Sequence, residues 1–422
     1  MTDALPYLDA ATLERLLPVG RAVRILEDAL RAGLDPEATP QRPVVDVPAG
    51  QLLLMPAAAG RYVGVKAVTI APGNPGRGLP RIQGTYLLLD GGTLAPLAAM
   101  DGIAITSLRT PAVSALAVDH LAEARGGKLV VFGSGPQAWG HVLAFREVRP
   151  ITEVTVIGRD LARAEALATR CRTLGLPSRA LASGPAGPAS APVGSAPAPT
   201  ARNQAPADSA DAPSSAGAPN APVASPSLPT APTGQAPDRA TEEASDAPVG
   251  RRPAVAAGAS AHGPVASRGA PDPVTGGRER GADHVSGAAG AHDDVVAEAV
   301  AEADLIACCT TAREPLFPGK LARDGVTVVA VGSHEPGARE LDGDLIARAT
   351  VVVEARAAAL EEAGDVIIPI RHGTITSGHL AGNLAELITG QVIAGPGPRV
   401  FKSTGMAWED LVIAAAAYEA WI

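Results

Sequence analysis

The chain has 422 residues, of which 46% are hydrophobic and 19% charged, and its formal net charge at pH 7 is −9. This length predicts two or three domains, and an acidic chain without a basic cluster argues against a nucleic-acid partner, which needs Lys and Arg to neutralise phosphate. No apolar run is long enough to predict a membrane span, and the N-terminus lacks the pattern of a secretory signal. Three cysteines favour a reducing compartment, so we expect a cytoplasmic protein.

The first part of the chain alternates helical and strand patterns. Residues 11–32 have helical periodicity, and the stretch from Val44 to Leu94 favours antiparallel strands, with a hairpin turn at residues 90–92. Thr110 and Pro111 are then predicted to begin a helix, as its N-cap and its first helical residue. A mostly antiparallel sheet followed by an α/β unit predicts two lobes with a cleft between them.

A dinucleotide-binding motif follows a buried-type strand at residues 128–132. Its turn consists of six residues, Gly133, Ser134, Gly135, Pro136, Gln137 and Ala138. In such a GxGxxA turn the first glycine permits a tight bend, the second admits the pyrophosphate, and the alanine lets helix and strand pack closely. The phosphates would lie at the helix N-terminus, where free N–H groups favour anions. Because strand, turn, helix and second strand follow in the right order, we predict a Rossmann unit.

The end of the second strand predicts which dinucleotide is bound. An NAD site places Asp or Glu there to hold the ribose 2′-hydroxyl, whereas Arg suits a 2′-phosphate. In this chain Gly158 occupies the acidic position, and Arg159 and Asp160 follow it. We therefore predict a preference for NADP(H). NAD(H) is the alternative, if Asp160 turns back to the ribose.

Residues 184–290 differ in composition from the rest of the chain. Ala, Pro, Ser and Gly dominate the segment, which contains one Leu and no Phe, Trp, Tyr, Ile, Met, Cys or Lys. Such a segment cannot bury enough apolar surface to offset the entropy of ordering, so we predict that it is disordered. A strand and a helix precede it, and a helix and a strand follow it. We interpret it as a long insert within one α/β domain, because the cost of loop closure grows slowly with length.

Three cations of the first lobe are candidates for anion binding. Arg42 precedes a proline, Lys66 lies in the middle of an apolar strand, and Arg109 lies just before the predicted helix N-cap. Arg can hold a carboxylate through two parallel hydrogen bonds, and Lys can act as a point charge or as an acid or base. Taken singly, such a residue is more often a surface or structural ion-pair residue than a ligand-binding one. Lys66 is the exception, because burying an unpaired ammonium is costly.

Several segments together resemble the ornithine cyclodeaminase/mu-crystallin family, most specifically LRTPAVSA and FKSTGMAWED. The resemblance covers essentially the whole chain except residues 184–290. It implies an α/β fold and a homodimer: a Rossmann domain (127–183 and 291–394) carries the nicotinamide cofactor, and an α+β domain (1–126 and 395–422) supplies the substrate site and the dimer sheet. The C-terminal helix, Trp408–Trp421, would pack on the α+β domain.

The resemblance also implies roles for the three cations. Arg42, Lys66 and Arg109 fall on the positions that hold the substrate carboxylate, and Lys66 is a candidate proton relay. The chain departs from ornithine cyclodeaminases in the loop after the fifth Rossmann strand, where His334 replaces an Asp that binds the substrate amine. It also has Arg81 where those enzymes have a small hydroxyl residue. Both changes weaken the case for ornithine.

We therefore expect an NAD(P)-dependent oxidoreductase acting on the C–N bond of a small amino-acid or cyclic imine carboxylate, with Lys66 or His334 transferring the proton. One alternative is an ornithine cyclodeaminase in which Glu335 or His334 replaces the missing Asp. Another is a non-catalytic NADPH-binding protein. The histidine spacing predicts no metal site, and Cys308 and Cys309 are expected to pack on opposite faces of a strand.

Overall fold

The computed structural model describes residues 4–184 and 286–422 of the chain. Most of the predicted insert lies outside the described residues, but residues 286–290 belong to a helix that continues to Glu302. Among the described residues, no helix is both long and apolar enough to cross a membrane.

The first lobe contains a six-stranded sheet. Its strands are β1 (Tyr7–Leu8), β2 (Val44–Val47), β3 (Gly50–Ala59), β4 (Tyr62–Ile70), β5 (Ile82–Asp90) and β6 (Pro96–Asp101). Their order is β1-β6-β5-β4-β3-β2, and every pair except β1 with β6 is antiparallel. The predicted hairpin turn after Asp90 is confirmed, since it connects β5 to β6.

Helices cover one face of this sheet, where alternate residues of β3 and β4 are buried. They are α1 (Ala10–Leu16), α2 (Val19–Arg31), α3 (Gly102–Leu121) and the C-terminal α11 (Ala407–Trp421). The helical pattern of residues 11–32 forms two helices, since Pro18 ends the first and precedes the second. Helix α11 packs on β3, β4, α2 and α3, as predicted.

The predicted start of α3 at Thr110 and Pro111 was wrong. The helix begins at Gly102, and the side chain of Asp101 accepts hydrogen bonds from two backbone N–H groups of the first turn. This aspartate supplies a cap at the end of β6 that is as good as a threonine cap. Pro111 lies inside the helix, where it costs a backbone hydrogen bond but packs against Gly140. Arg109 is therefore a mid-helix residue.

The second lobe is an eight-stranded, fully parallel sheet. Its strands are β7 (Gly127–Phe132), β8 (Ile151–Gly158), β9 (Ser178–Ala182), β10 (Leu305–Cys308), β11 (Thr327–Ala330), β12 (Thr350–Val353), β13 (Leu380–Asn383) and β14 (Arg399–Lys402). Its helices are α4 (Pro136–Val148), α5 (Leu161–Thr173), α6 (Ser286–Glu302), α7 (Gly343–Arg348), α8 (Arg356–Glu362), α9 (Gly364–Arg371) and α10 (Leu384–Ile388). Cys308 and Cys309 pack in different core clusters, which confirms that they face opposite sides.

The strand order is β13-β12-β14-β11-β10-β7-β8-β9. In the sheet, β8 and β9 lie on one side of β7, whereas β10 and β11 lie on its other side. The strand order therefore reverses at β7. Parallel sheets of this kind bind dinucleotides beside such a reversal, at the carboxyl ends of the strands. The expected boundary at residue 395 placed β14 with the first lobe. Instead β14 pairs with β11 and β12, because Val400 and Phe401 are buried in the middle of the second sheet. The chain returns to the first lobe only with α11.

Candidate functional site

The turn between β7 and α4 has the geometry of a phosphate-binding loop. Gly133 has a φ of +112°, and a Cβ atom there would lie 2.6 Å from the carbonyl oxygen of Cys309, so only glycine fits. Gly135 is the N-cap of α4, and a Cβ atom on it would meet no atom within 4 Å. Open space therefore lies in front of free helical N–H groups, with Ala138 fully buried behind them. These features fit the pyrophosphate of a nicotinamide dinucleotide.

The carboxyl end of β8 adjoins this turn. A Cβ atom on Gly158 would lie 3.8 Å from the Ser134 hydroxyl, and the next residue, Arg159, is exposed. The side chain of Asp160 caps α5 by accepting a hydrogen bond from the backbone N–H of Arg163, at 3.1 Å. The carboxylate at this position is thus used by a helix N-terminus. Arg159 is the charged side chain that remains open to a ligand.

Lys66 lies in the first lobe on β4 and is almost completely buried, with 1% of its surface exposed. Its ammonium nitrogen lies 2.7 Å from each carboxylate oxygen of Asp410 and donates to the hydroxyl of Thr106 at 3.0 Å. Burial lowers the pKa of Lys66 to about 8, although Asp410 raises it in opposition. The group is therefore mostly charged at neutral pH and loses its proton in an accessible range.

Arg109 approaches the same carboxylate from α3. Its guanidinium donates to Glu409 at 2.8 Å and to Asp410 at 3.3 Å. Gly405, with a φ of +80°, lies against the guanidinium, so that a Cβ atom there would stand 2.7 Å from both terminal nitrogens. Glycine at this position lets backbone and guanidinium approach closely.

Arg42 reaches the other side of the same segment. Its guanidinium pairs with the Glu362 carboxylate through two nitrogens and donates to the carbonyl oxygens of Thr404 and Gly405, at 3.2 and 3.4 Å. The backbone of Gly405 therefore lies between Arg42 and Arg109. The structure brings together the three cations singled out in the sequence, around residues 404–410.

Two further carboxyl groups are buried beside the cations. Glu354 accepts hydrogen bonds from the Ser403 hydroxyl and from the backbone N–H groups of Thr404 and Gly405, which fixes this segment. Burial and the neighbouring Glu354 raise the pKa of Glu409 well above its ordinary value, against the effect of Arg109. Glu409 therefore keeps its proton to higher pH than an ordinary glutamate does.

His334 lies in the loop after β11, as predicted, and is exposed to solvent. The surrounding protein, and next the Arg42 guanidinium, lower the pKa of His334 below its ordinary value, so the ring is neutral near pH 7. The carboxylate of Glu335 bonds to Arg313 at 2.8 Å, on the surface. Arg81, just before β5, is also exposed.

A buried ion pair supports the His334 loop from below. Lys402 donates to the carbonyl oxygen of Ser333 at 2.5 Å and pairs with Asp365 at 3.0 Å. Asp365 accepts from two backbone N–H groups, one of them that of Glu340, and Glu340 in turn accepts from Thr310. This network joins the loops after β10 and β11.

The carboxyl groups of this site were not predicted from the sequence. Glu362, Glu409 and Asp410 are distant in the chain from the cations that they contact, and Glu354 is distant from the segment 403–405 to which it bonds. One signal was available: two adjacent acids in the first turn of an otherwise apolar C-terminal helix. Acidic residues also favour helix N-termini on general electrostatic grounds, so the pattern alone does not indicate a site.

His141 connects the phosphate-binding helix to the helix of Arg109. Its ring, which is fully buried, donates to the carbonyl of Gln137 at 2.8 Å and accepts from the hydroxyl of Ser114, on α3, at 2.9 Å. Burial lowers the pKa of His141 to about 4. In the unfolded chain His141 becomes protonated as the pH falls below its ordinary pKa of 6.5, whereas in the folded chain it becomes protonated only near pH 4.

Acidification is therefore expected to remove stability that His141 supplies. Folded and unfolded chains differ in proton binding between these two pKa values, so the free energy of unfolding falls by about 2.5 kcal/mol between about pH 7 and about pH 4.5 on account of this residue. Urea unfolding of the protein and of His141→Gln at both pH values measures the difference. His372→Gln replaces an exposed histidine and serves as the control, which should keep the pH dependence of the free energy of unfolding. An equal pH dependence in His141→Gln would contradict the assignment.

Comparison with known proteins places the chain among relatives. The profile described as "Ornithine cyclodeaminase/mu-crystallin family" matches residues 10–191 and 285–422. A Delta(1)-pyrroline-2-carboxylate reductase of Bacillus cereus is 27% identical over 373 residues, covering 87% of this chain and 80% of the relative. Ketimine reductase mu-crystallin of Mus musculus is 43% identical over 132 residues, covering 30% of this chain and 38% of the relative.

A solved structure has the same fold. The Thermococcus litoralis Delta(1)-pyrroline-2-carboxylate reductase, in complex with NADH and L-proline, superimposes with a TM-score of 0.68 at 24% identity, covering 99% of this chain and 97% of that one. The predicted fold class, a Rossmann domain plus an α+β domain, is thereby confirmed. The family profile matches most of the length of this chain, on both sides of the insert. The chain therefore belongs to the ornithine cyclodeaminase/mu-crystallin family.

Proposed function

We propose that the protein is a nicotinamide-dependent imine reductase that reduces the C=N bond of a small cyclic imine 2-carboxylate, such as pyrroline-2-carboxylate. The observation that carries the proposal is the convergence of Arg42, Lys66 and Arg109 on one segment of the chain, residues 404–410. The substrates named for the relatives, a pyrroline carboxylate and a ketimine, support the same chemistry.

The two arginines would bind the substrate carboxylate. Arg42 has 15% of its side chain exposed and is paired with Glu362, itself 23% exposed, so an incoming carboxylate can exchange with a partly hydrated partner. The planar guanidinium groups suit a carboxylate, which each can hold through parallel hydrogen bonds. Lys66 uses donors towards Asp410 and Thr106, and a third N–H of its ammonium group is available to the substrate.

Lys66 is also the group that would supply the proton. Reduction of an imine adds a hydride to carbon and a proton to nitrogen; the bound nicotinamide supplies the hydride. At neutral pH Lys66 is charged, because its pKa is about 8, whereas the lowered pKa of His334 leaves that ring neutral. We therefore assign proton donation to Lys66 and place His334 at the edge of the site, where its ring can hydrogen-bond substrate or water.

The surroundings of Glu335 favour a reductase over a cyclodeaminase. Binding the side-chain ammonium of ornithine would need a carboxylate at the loop after β11. The carboxylate of Glu335 is paired with Arg313 on the surface, and His334 is a neutral ring that cannot replace it. Neither residue therefore favours ornithine as the substrate.

The preferred cofactor is proposed to be NADPH, with Arg159 binding the 2′-phosphate. Replacing Arg159 with Ser is expected to raise the Kd for NADPH about tenfold and to leave the Kd for NADH nearly unchanged, because only NADPH carries that phosphate. Fluorescence titration of both cofactors measures the two constants. Arg146→Ser is a charge-matched control, since Arg146 is exposed at the far end of α4. Tighter binding of NADH than of NADPH by the unmodified protein would rule the preference out.

We also propose that the protein forms a homodimer, as the family resemblance implies. Strand β2 is an edge of the first sheet, and its valines Val44, Val45 and Val47 are 51, 47 and 38% exposed. An exposed apolar edge strand is a surface that native proteins usually cover. A second copy of the chain would cover it.

Loss of NADPH absorbance with a panel of cyclic imine carboxylates tests the proposed activity. Steady oxidation of NADPH, dependent on the imine and with a cyclic amino acid as product, is the expected result. L-Ornithine with NADP⁺ or NAD⁺ is assayed in parallel for ammonia. Release of ammonia without net change in cofactor would identify a cyclodeaminase, and binding of NADPH without turnover of any substrate would identify a non-catalytic protein. Either outcome would overturn the proposal.

A further inference from the structure

We propose that Asp410 is a positioning residue, whose single carboxylate aligns the ammonium of Lys66 with the guanidinium of Arg109. The proposal rests on the proposed function, because it assigns Lys66 and Arg109 to one substrate. Asp410 would act on the reaction through the two cations to which it bonds.

The geometry shows one carboxylate shared between two elements. Asp410 lies in the first turn of α11 and is fully buried. It stands 2.7 Å from the ammonium nitrogen of Lys66, on β4, and 3.3 Å from Nε of Arg109, on α3. A displacement of Asp410 would therefore move both cations relative to each other, and a shift of a fraction of an ångström is enough to spoil catalytic alignment.

The neighbouring Glu409 cannot take over this role. Of the two cations, it bonds to Arg109, and burial holds the pKa of Glu409 well above its ordinary value. Asp410 is therefore the closest negative charge to Lys66. The other titratable groups around Lys66 are Arg109 from α3 and Tyr86, its cross-strand partner on β5, whose hydroxyl stays protonated because burial raises its pKa.

The choice of lysine adds an independent observation. The chain contains only four lysines, Lys66, Lys128, Lys320 and Lys402, among 35 basic residues. An arginine could make the ion pair with Asp410, but it would not release a proton in the physiological range. Lysine at position 66 combines charge with a transferable proton. Burial lowers the pKa of Lys66, and Asp410 opposes that effect, so that the ammonium keeps its proton.

Replacing Asp410 with Asn tests the inference, because Asn has nearly the same shape and no charge. We expect the alkaline limb of the kcat profile, measured from about pH 6 to about pH 10, to move about one unit lower. We also expect kcat at about pH 7.5 to fall at least about tenfold and the KM for the imine carboxylate to rise, because Arg109 loses a partner. Glu419→Gln, at the far end of α11, is the control and should change none of these.

A titration that needs no turnover separates this inference from the proposed function. With lysine labelled at Cε, four signals are expected, and Lys66→Met identifies the one from Lys66. In Asp410→Asn the Lys66 signal should titrate at lower pH than in the unmodified protein. An unchanged midpoint would overturn the inference even if imine reduction is observed. A shifted midpoint would support it even if the substrate proves to be different.

Asp410→Glu covers the case in which the Asn variant does not fold. It restores the charge but moves the carboxylate by one methylene. We expect Lys66 to keep its titration midpoint while kcat falls about tenfold or more, because the two cations lose their alignment. Full activity in Asp410→Glu would show that position is unimportant and would overturn the inference.

Discussion

Replacing Lys66 with Met is expected to lower kcat/KM for a cyclic imine carboxylate by about 10³-fold or more. Met has a similar length and fills the same apolar strand, but it can neither pair with a carboxylate nor donate a proton. The loss combines weaker substrate binding with loss of general-acid catalysis, which together are worth about 4 kcal/mol. Steady-state oxidation of NADPH measures the effect.

Cofactor binding should survive this substitution, because Lys66 lies in the first lobe and the dinucleotide loop in the second. An unchanged Kd for NADPH would show that the variant is folded. Lys320→Met, which removes an exposed lysine, is the matched control and should retain full activity. Turnover within about tenfold of the unmodified protein in Lys66→Met would exclude Lys66 as the proton donor.

Gly405→Ala is expected to raise the KM for the imine carboxylate by about 30-fold and to lower the free energy of unfolding by about 2 kcal/mol. The added Cβ atom would lie 2.7 Å from both terminal nitrogens of Arg109, so the guanidinium must move. The carbonyl of Gly405 also accepts from Arg42, so both carboxylate-binding arginines are disturbed. Kinetics and urea unfolding measure the two effects.

Gly390→Ala separates backbone strain from the clash. Gly390 has a φ of +76°, close to the +80° of Gly405, but a Cβ atom there would meet nothing within 4 Å. We expect this control to lose about 1 kcal/mol of stability with its KM unchanged. If the KM changes equally in both variants, contact of residue 405 with Arg109 does not explain the effect.

The local patterns of the sequence were sufficient to predict both halves of the fold. The strand around Lys66 and the turn from Gly133 to Ala138 each follow from residues close together in the chain. The start of α3 was missed because the caps at Asp101 and Thr110 cannot be ranked without packing, and Pro111 is tolerated once Gly140 lies against it. Strand β14 was missed because a short buried strand carries little periodicity.

The site was only half predictable for a related reason. Arg42, Lys66 and Arg109 were identifiable as cations in unusual positions, whereas their meeting point depends on α11, about three hundred residues further along the chain. An acid in the first turn of a helix is ordinarily a stabilising surface residue. Only packing of that helix on β4 and α3 makes Asp410 a partner of two buried cations.

The central claim is that the three cations hold a carboxylate so that the adjacent C=N carbon receives a hydride. The most direct test uses NADPH with deuterium at the transferable C4 position, for each of its two faces, and mass analysis of the cyclic amino acid formed. We predict one deuterium at Cα of the product from one of the two labelled cofactors, with one NADPH consumed per product. A product without deuterium from either cofactor, or conversion of ornithine with release of ammonia and no net loss of NADPH, would contradict the account.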